Sequence, residues 1–104
     1  MEPIVERLVN LVGADILLWS GRDTFHIDDV RDGKLYFTIS TDRELSVSIE
    51  KIETVYVFWR EVVGARNIND AVHSLLKELG IIETRDEAYI AAIVRRLMDD
   101  ELAV

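Results

Sequence analysis

The segment SIEKIETVYVFWREVVG, residues 48–64, supports two secondary structures, and the architecture turns on which of them forms. Its centre, Val55-Tyr56-Val57-Phe58-Trp59, is β-branched and aromatic throughout, the composition favoured on a pleated, half-buried surface. Over the whole segment, however, Ile49, Ile52, Val55, Tyr56, Trp59, Val62 and Val63 recur at helical spacing on one arc, with Glu50, Glu53, Arg60 and Glu61 on the other. Ser48 is a good N-cap and Gly64 a good terminator. The period of the segment outweighs the propensity of its centre, so the sequence predicts a helix from Ile49 to Val63, with a strand through Val55 to Trp59 as the alternative. On the helical reading Val57 and Phe58 fall off the buried stripe.

Upstream the period is two. Phe25 and Ile27 alternate with His26 and Asp28, and Leu35, Phe37 and Ile39 alternate with Lys34, Tyr36, Thr38 and Ser40, as in antiparallel strands with one wet face. Asp32-Gly33 between the two runs is a hairpin signal, because both residues tolerate the positive φ of a type I′ turn. Val30 breaks the alternation after Asp28-Asp29, which predicts a bulge. Leu45 to Val47 is a third strand, and Ile16 to Trp19 an edge strand. Before them, Pro3 opens a short helix through Ile4, Leu8 and Leu11 that ends at Gly13.

Downstream, Val72, Leu75, Leu76 and Leu79 mark an amphipathic helix that starts near Asn67 to Asn69 and stops at Gly80, with Ile81 closing onto Leu76. Thr84 and Glu87 form a capping box for a last helix, whose stripe is Ile90, Ile93, Val94, Leu97 and Met98. Arg95/Asp99 and Arg96/Asp100 are i,i+4 pairs on its other side, and Asp99, Asp100 and Glu101 oppose the dipole at its end, so its last turn is expected to fray. The expected fold is α+β: a small antiparallel sheet of about three or four strands packed with about four helices, the last two an αα-hairpin, in one domain.

The chain has 104 residues, with 12 Lys and Arg against 20 Asp and Glu, for a net charge of −8. The deficit is even, 5 basic and 9 acidic in residues 1–48, and 7 and 11 in the remainder, so neither half is a basic arm. Such a surface repels phosphate backbone and anionic lipid, and suits a basic protein partner. The absence of Cys excludes disulfides, thiolate zinc sites, iron-sulfur clusters and a Cys nucleophile, and is compatible with a reducing cytoplasm. The start, Met1-Glu2-Pro3, lacks the charged and apolar regions of a signal peptide, and no apolar run approaches a membrane span, so the protein is expected in the cytoplasm.

Chemistry-bearing patterns are sparse. His26-x-Asp28 on a strand is half of a metal site at most, and an exposed strand face is the simpler reading. Asp32-Gly33-Lys34 has the D-x-K arrangement of some nucleases, but it coincides with the turn that demands Asp-Gly. His73 lies opposite an apolar stripe, and Ser74 sits in no nucleophile elbow. No phosphate-cradling glycine loop occurs. As a helix-turn-helix, the last helix would lead with Glu83, Thr84, Arg85, Asp86 and Glu87, the wrong sign for phosphate. What remains is an apolar surplus, Val57, Phe58, Trp19 and Tyr36, without a clear place in the core; exposed apolar groups beside a charged rim mark protein interfaces, and the equal alternative is that Phe58 packs between sheet and helix.

The order F-x-I-x-x-V at Phe25 to Val30, a Gly turn, L-x-F-x-I at Leu35 to Ile39, a short strand running into Ile52-Glu53, and Tyr89-Ile90-Ala91-Ala92-Ile93 resembles a loose pattern in small prokaryotic proteins. The resemblance implies a module of the kind that accompanies mobile elements or defence genes.

The expected function is that of a non-enzymatic, acidic protein-protein interaction module of adaptor or inhibitor type, self-associating as a homodimer, with Val57, Phe58, Trp19 and Tyr36 binding the partner and with no cofactor or metal. A nucleic-acid-associated accessory domain using Arg66, Arg85, Arg95 and Arg96 is the alternative, and a small metal-dependent hydrolase using His26, Asp28 and Asp29 the third reading.

Overall fold

The computed structural model describes residues 4–18, 21–80 and 87–102. Helix α1 (Ile4–Val9) leads into four strands, β1 (Asp15–Leu17), β2 (Thr24–Arg31), β3 (Lys34–Thr38) and β4 (Glu44–Ser48), followed by α2 (Ile49–Val57), α3 (Trp59–Val62), α4 (Ile68–Glu78) and α5 (Glu87–Leu102). The strands form one antiparallel meander in the order β1-β2-β3-β4. This is the expected α+β arrangement, with five helices among the described residues where about four were expected.

The hairpin forms as its sequence predicts. Asp32 and Gly33 adopt φ of 52° and 73°, the two left-handed residues of a type I′ turn, and Arg31 pairs with Lys34 across it. The β2–β3 register skips Asp28, passing from Ile27↔Phe37 to Asp29↔Tyr36, and this bulge is what returns Val30 to the inner face opposite Leu35. Phe25, Ile27, Leu35, Phe37 and Val47 thus all enter the core from the sheet, while Thr24, His26, Lys34, Glu44 and Ser46 stay on the wet face. The edge strand begins and ends earlier than the expected Ile16 to Trp19; Trp19 lies outside the described residues.

Segment 49–63 is helical, and the strand alternative does not form. It is not one helix, however. Phe58 (φ −99°, ψ 18°) separates α2 from α3, and its N–H bonds to the Thr54 carbonyl at 3.2 Å. Val55, Tyr56, Val57, Phe58 and Trp59 are all poor helix formers that crowd the preceding turn, and the helix yields among them. Ser48 caps α2 as expected, its hydroxyl accepting from the Glu50 N–H at 3.2 Å, and Asn67 caps α4 through bonds from Asn69 and Asp70.

The last helix is more deeply set than one apolar stripe implies. Ile90, Ala91, Ala92, Ile93 and Val94 are all fully buried, because α5 runs between α4, α2 and β1. Over residues 90–94 the helix is apolar all round, as in an interior, and two alanines there let its neighbours approach. At its start the Tyr89 ring meets Phe25 and Phe37 at centroid distances of 5.3 and 4.8 Å, joining helix to sheet. The expected contact of Ile81 and the Thr84 half of the capping box lie outside the described residues.

Candidate interaction surface

The helices pack on one face of the sheet, so the alternate residues of each strand build the other. There the Arg31 guanidinium lies 4.0 Å from the centroid of the Tyr36 ring and donates to Asp29 Oδ2 at 2.7 Å. The hydrogen bond from Arg31 and another from the Val30 N–H hold the Asp29 carboxyl below its ordinary pKa, and the same Asp29 bond raises that of Arg31. Tyr36, one of the expected partner residues, is therefore half-buried beneath a guanidinium.

The residues of the metal reading sit on this face too, but with separate partners. His26 Nδ1 lies 2.9 Å from Asp15 Oδ1 on the adjacent strand, and the Asp28 carboxylate accepts from the Thr38 hydroxyl at 2.6 Å. Asp29 is engaged with Arg31. Among the described residues no three His, Cys, Asp or Glu side chains converge as a metal site would require. His73 Nδ1 lies 2.8 Å from Glu87 Oε1, linking α4 to α5.

Of the apolar surplus, Val57 and Phe58 part company at the break. Val57 is 67% exposed, whereas Phe58 turns inward and packs half-buried against the core. Phe58 is thus a core contact as well as a candidate partner residue.

A larger apolar feature lies on the first helix. On α1 and the turn after it, Ile4, Leu8 and Leu11 are buried, while Val5, Val9 and Val12 remain 42–49% exposed. At about 100° per residue the valines form a second stripe beside the first, spaced i, i+4, i+7. The repeat is present in the sequence, but the buried stripe alone is enough to account for the helix. On the opposite flank of α1, Arg7 donates to the Tyr56 hydroxyl at 2.7 Å, to Glu101 Oε1 at 2.9 Å and to the Leu97 carbonyl at 2.7 Å. The Tyr56 hydroxyl donates in turn to Glu101. This cluster joins α1, α2 and α5, and α5 continues to Leu102 where a frayed turn was expected. Bonding to Glu101, reinforced by burial and opposed by Arg7, raises the Tyr56 pKa above its ordinary value.

The basic residues of the nucleic-acid reading that are described already have partners within the chain where their contacts are known. Arg95 donates to the Leu17 carbonyl at 2.7 Å, Arg96 pairs with Asp100 at 3.3 Å, and Arg85 lies outside the described residues. Arg95 and Arg96 do line an open groove of about 410 Å³ between β1 and α5, together with Ile16, Leu17, Ala92 and Asp99. No described helix is long and apolar enough to cross a membrane. No family model, curated protein or solved structure matches the chain.

Proposed function

We propose that this chain is a non-enzymatic protein-interaction module of the cytoplasm, an acidic adaptor or inhibitor that associates with itself and docks on a partner with a basic surface. The observation that carries the reading is the row Val5, Val9 and Val12, each 42–49% exposed, on a domain of net charge −8. Valines left about half exposed gain stability when a second protein removes them from water, on the order of 25 cal/mol for each Å² covered. Val57, the most exposed of the large apolar side chains described, adds a second contact point. The carboxylates supply the complementary part: a basic patch is drawn in by the field of the whole domain, and apolar contact then holds it.

The test is affinity capture from the native host with three baits: the unaltered chain, Val9→Asp and Val57→Asp. Both substitutions fall on exposed positions, so both variants should melt like the parent. The reading expects a partner, rich in Lys and Arg at its contact surface, that the parent retains and at least one variant loses. Identical capture by all three would sink it.

A further inference from the structure

The two edges of the sheet differ, and the difference points to a partner. In β3 and β4 the N–H of Ile39 bonds to the Arg43 carbonyl and that of Ile49 to the Gly33 carbonyl, so within the register between them the hydrogen-bonded pairs are Phe37/Leu45 and Leu35/Val47. The backbone groups of Glu44, Ser46 and Ser48 therefore point away from β3, along an edge where the sheet ends. At the other edge β1 directs Asp15 and Leu17 outward, but that strand is only three residues long and the Arg95 guanidinium covers the Leu17 carbonyl at 2.7 Å. Short length and a covering cation are devices that blunt an edge. The β4 edge, five residues long, presents serines instead.

We propose that β4 pairs antiparallel with β4 of a second copy about a two-fold axis at Ser46, making one continuous sheet of two domains. The sequence Glu44-Leu45-Ser46-Val47-Ser48 is complementary to its own reverse: Ser46 faces Ser46, Glu44 faces Ser48, and Leu45 faces Val47 on the core side. No like charges stand opposite one another within the strand. Ser46 exchanges two backbone bonds with its counterpart, and the Ser48 N–H donates to the Glu44 carbonyl at each end, while the Ser48 carbonyl serves as the N-cap acceptor for α2. Leu45 is half-buried at this edge, whereas Val47 is already covered by its own domain. A strand of this length spans about 17 Å, and its pairing falls short of the roughly 800 Å² per partner of a standard stable interface. Two domains of charge −8 also repel. The dimer is accordingly weak and strengthens with salt.

This inference rests on the self-association within the proposed function and names its surface. The chain lacks Cys, so Ser46→Cys introduces a single thiol at the two-fold axis. Opposed Cα atoms in a hydrogen-bonded antiparallel pair lie about 5.5 Å apart, within disulfide reach. Under a glutathione redox buffer Ser46→Cys should form a covalent dimer at least about tenfold faster than Ser74→Cys, an exposed control on α4. Sedimentation of the unaltered chain should show a concentration-dependent dimer, increased by salt and lost in Ser46→Pro, whose missing N–H is not one that β3 uses. Ser46→Lys, which sets two ammonium groups against each other, should also be monomeric and covers the case in which the proline variant does not fold. A dimer insensitive to both substitutions, with Ser46→Cys no faster than the control, overturns the β4 edge and leaves self-association standing. A parent chain that stays monomeric throughout, without accelerated cross-linking, overturns the edge and self-association together, while docking on a partner stands or falls by the Val9→Asp capture.

Discussion

The guanidinium of Arg7 and the carboxylate of Glu101, 94 positions apart in the chain, meet at 2.9 Å, with the Tyr56 hydroxyl bonded to both. Arg7 also takes the Leu97 carbonyl, so one side chain ties the first helix to the last. Only 16% of the Arg7 side chain is exposed, and deleting it leaves Tyr56, Glu101 and Leu97 without that donor. Arg7→Ala should lower unfolding stability by about 1–2 kcal/mol, more than an isolated surface ion pair contributes. In urea melts, a double-mutant cycle with Glu101→Gln should give a coupling of at least about 0.5 kcal/mol; strict additivity would show that the contact carries no energy.

The same cluster sets a dependence on alkaline pH. The pKa of folded Tyr56 lies above its ordinary value of 10.0, chiefly because the neutral hydroxyl donates to Glu101. Its contribution is therefore complete below pH 10 and lost as pH rises through the higher folded value, where the unfolded chain ionises first. Ultraviolet titration of phenolate should show a tyrosine ionising above its ordinary range, absent in Tyr56→Phe. The parent should also lose more stability than that variant across the alkaline limb. A parent and variant that differ by an ordinary tyrosine titration would refute the donor role.

Local signals and long-range ones fared differently in the sequence. The Asp32-Gly33 turn, the bulge before Val30 and the cap at Ser48 each depend on a few neighbouring residues, and each was legible. The break at Phe58 was not, since helical period and poor helix propensity compete there, and packing decides where the chain yields. Ala91 and Ala92 look neutral on a helical wheel, and only the arrangement of α2, α4 and β1 around α5 buries them. Of the candidate surface, Val57 was readable as a residue off its stripe, whereas the valines of α1 were hidden by a helix already explained. The Arg7–Tyr56–Glu101 cluster has no local signature at all, because its members come from three distant helices.

The hairpin turn allows backbone and packing effects to be separated. Gly33 has φ of 73°, and a Cβ placed there would meet nothing within 4 Å, so Gly33→Ala changes backbone energy without a clash. The expected loss is about 1–2 kcal/mol, the cost of a left-handed L-residue. Asp32→Asn, at φ of 52°, should be neutral or slightly stabilising, since Asn is favoured at that position of a type I′ turn. Equal melting temperatures for Gly33→Ala and the parent would mean that the turn does not hold this geometry in solution.

Arg95 makes the last prediction, which concerns the edge that the chain protects. Its guanidinium bonds to the Leu17 carbonyl from outside the sheet, occupying a group that an added strand would otherwise use. Arg95→Ala should leave the fold intact, because Leu17 is at the exposed end of β1, but should uncover the carbonyl beside an apolar side chain that is itself exposed. Such an edge recruits other chains. Light scattering at raised protein concentration should therefore show larger assemblies for Arg95→Ala than for the parent, with Arg95→Lys intermediate because an ammonium can donate to the carbonyl without the same planar cover. Combining Arg95→Ala with Leu17→Lys should return the scattering to the parent level, since a charge on the strand repels a matching neighbour. Assembly unaffected by that second substitution would place the sticky surface elsewhere.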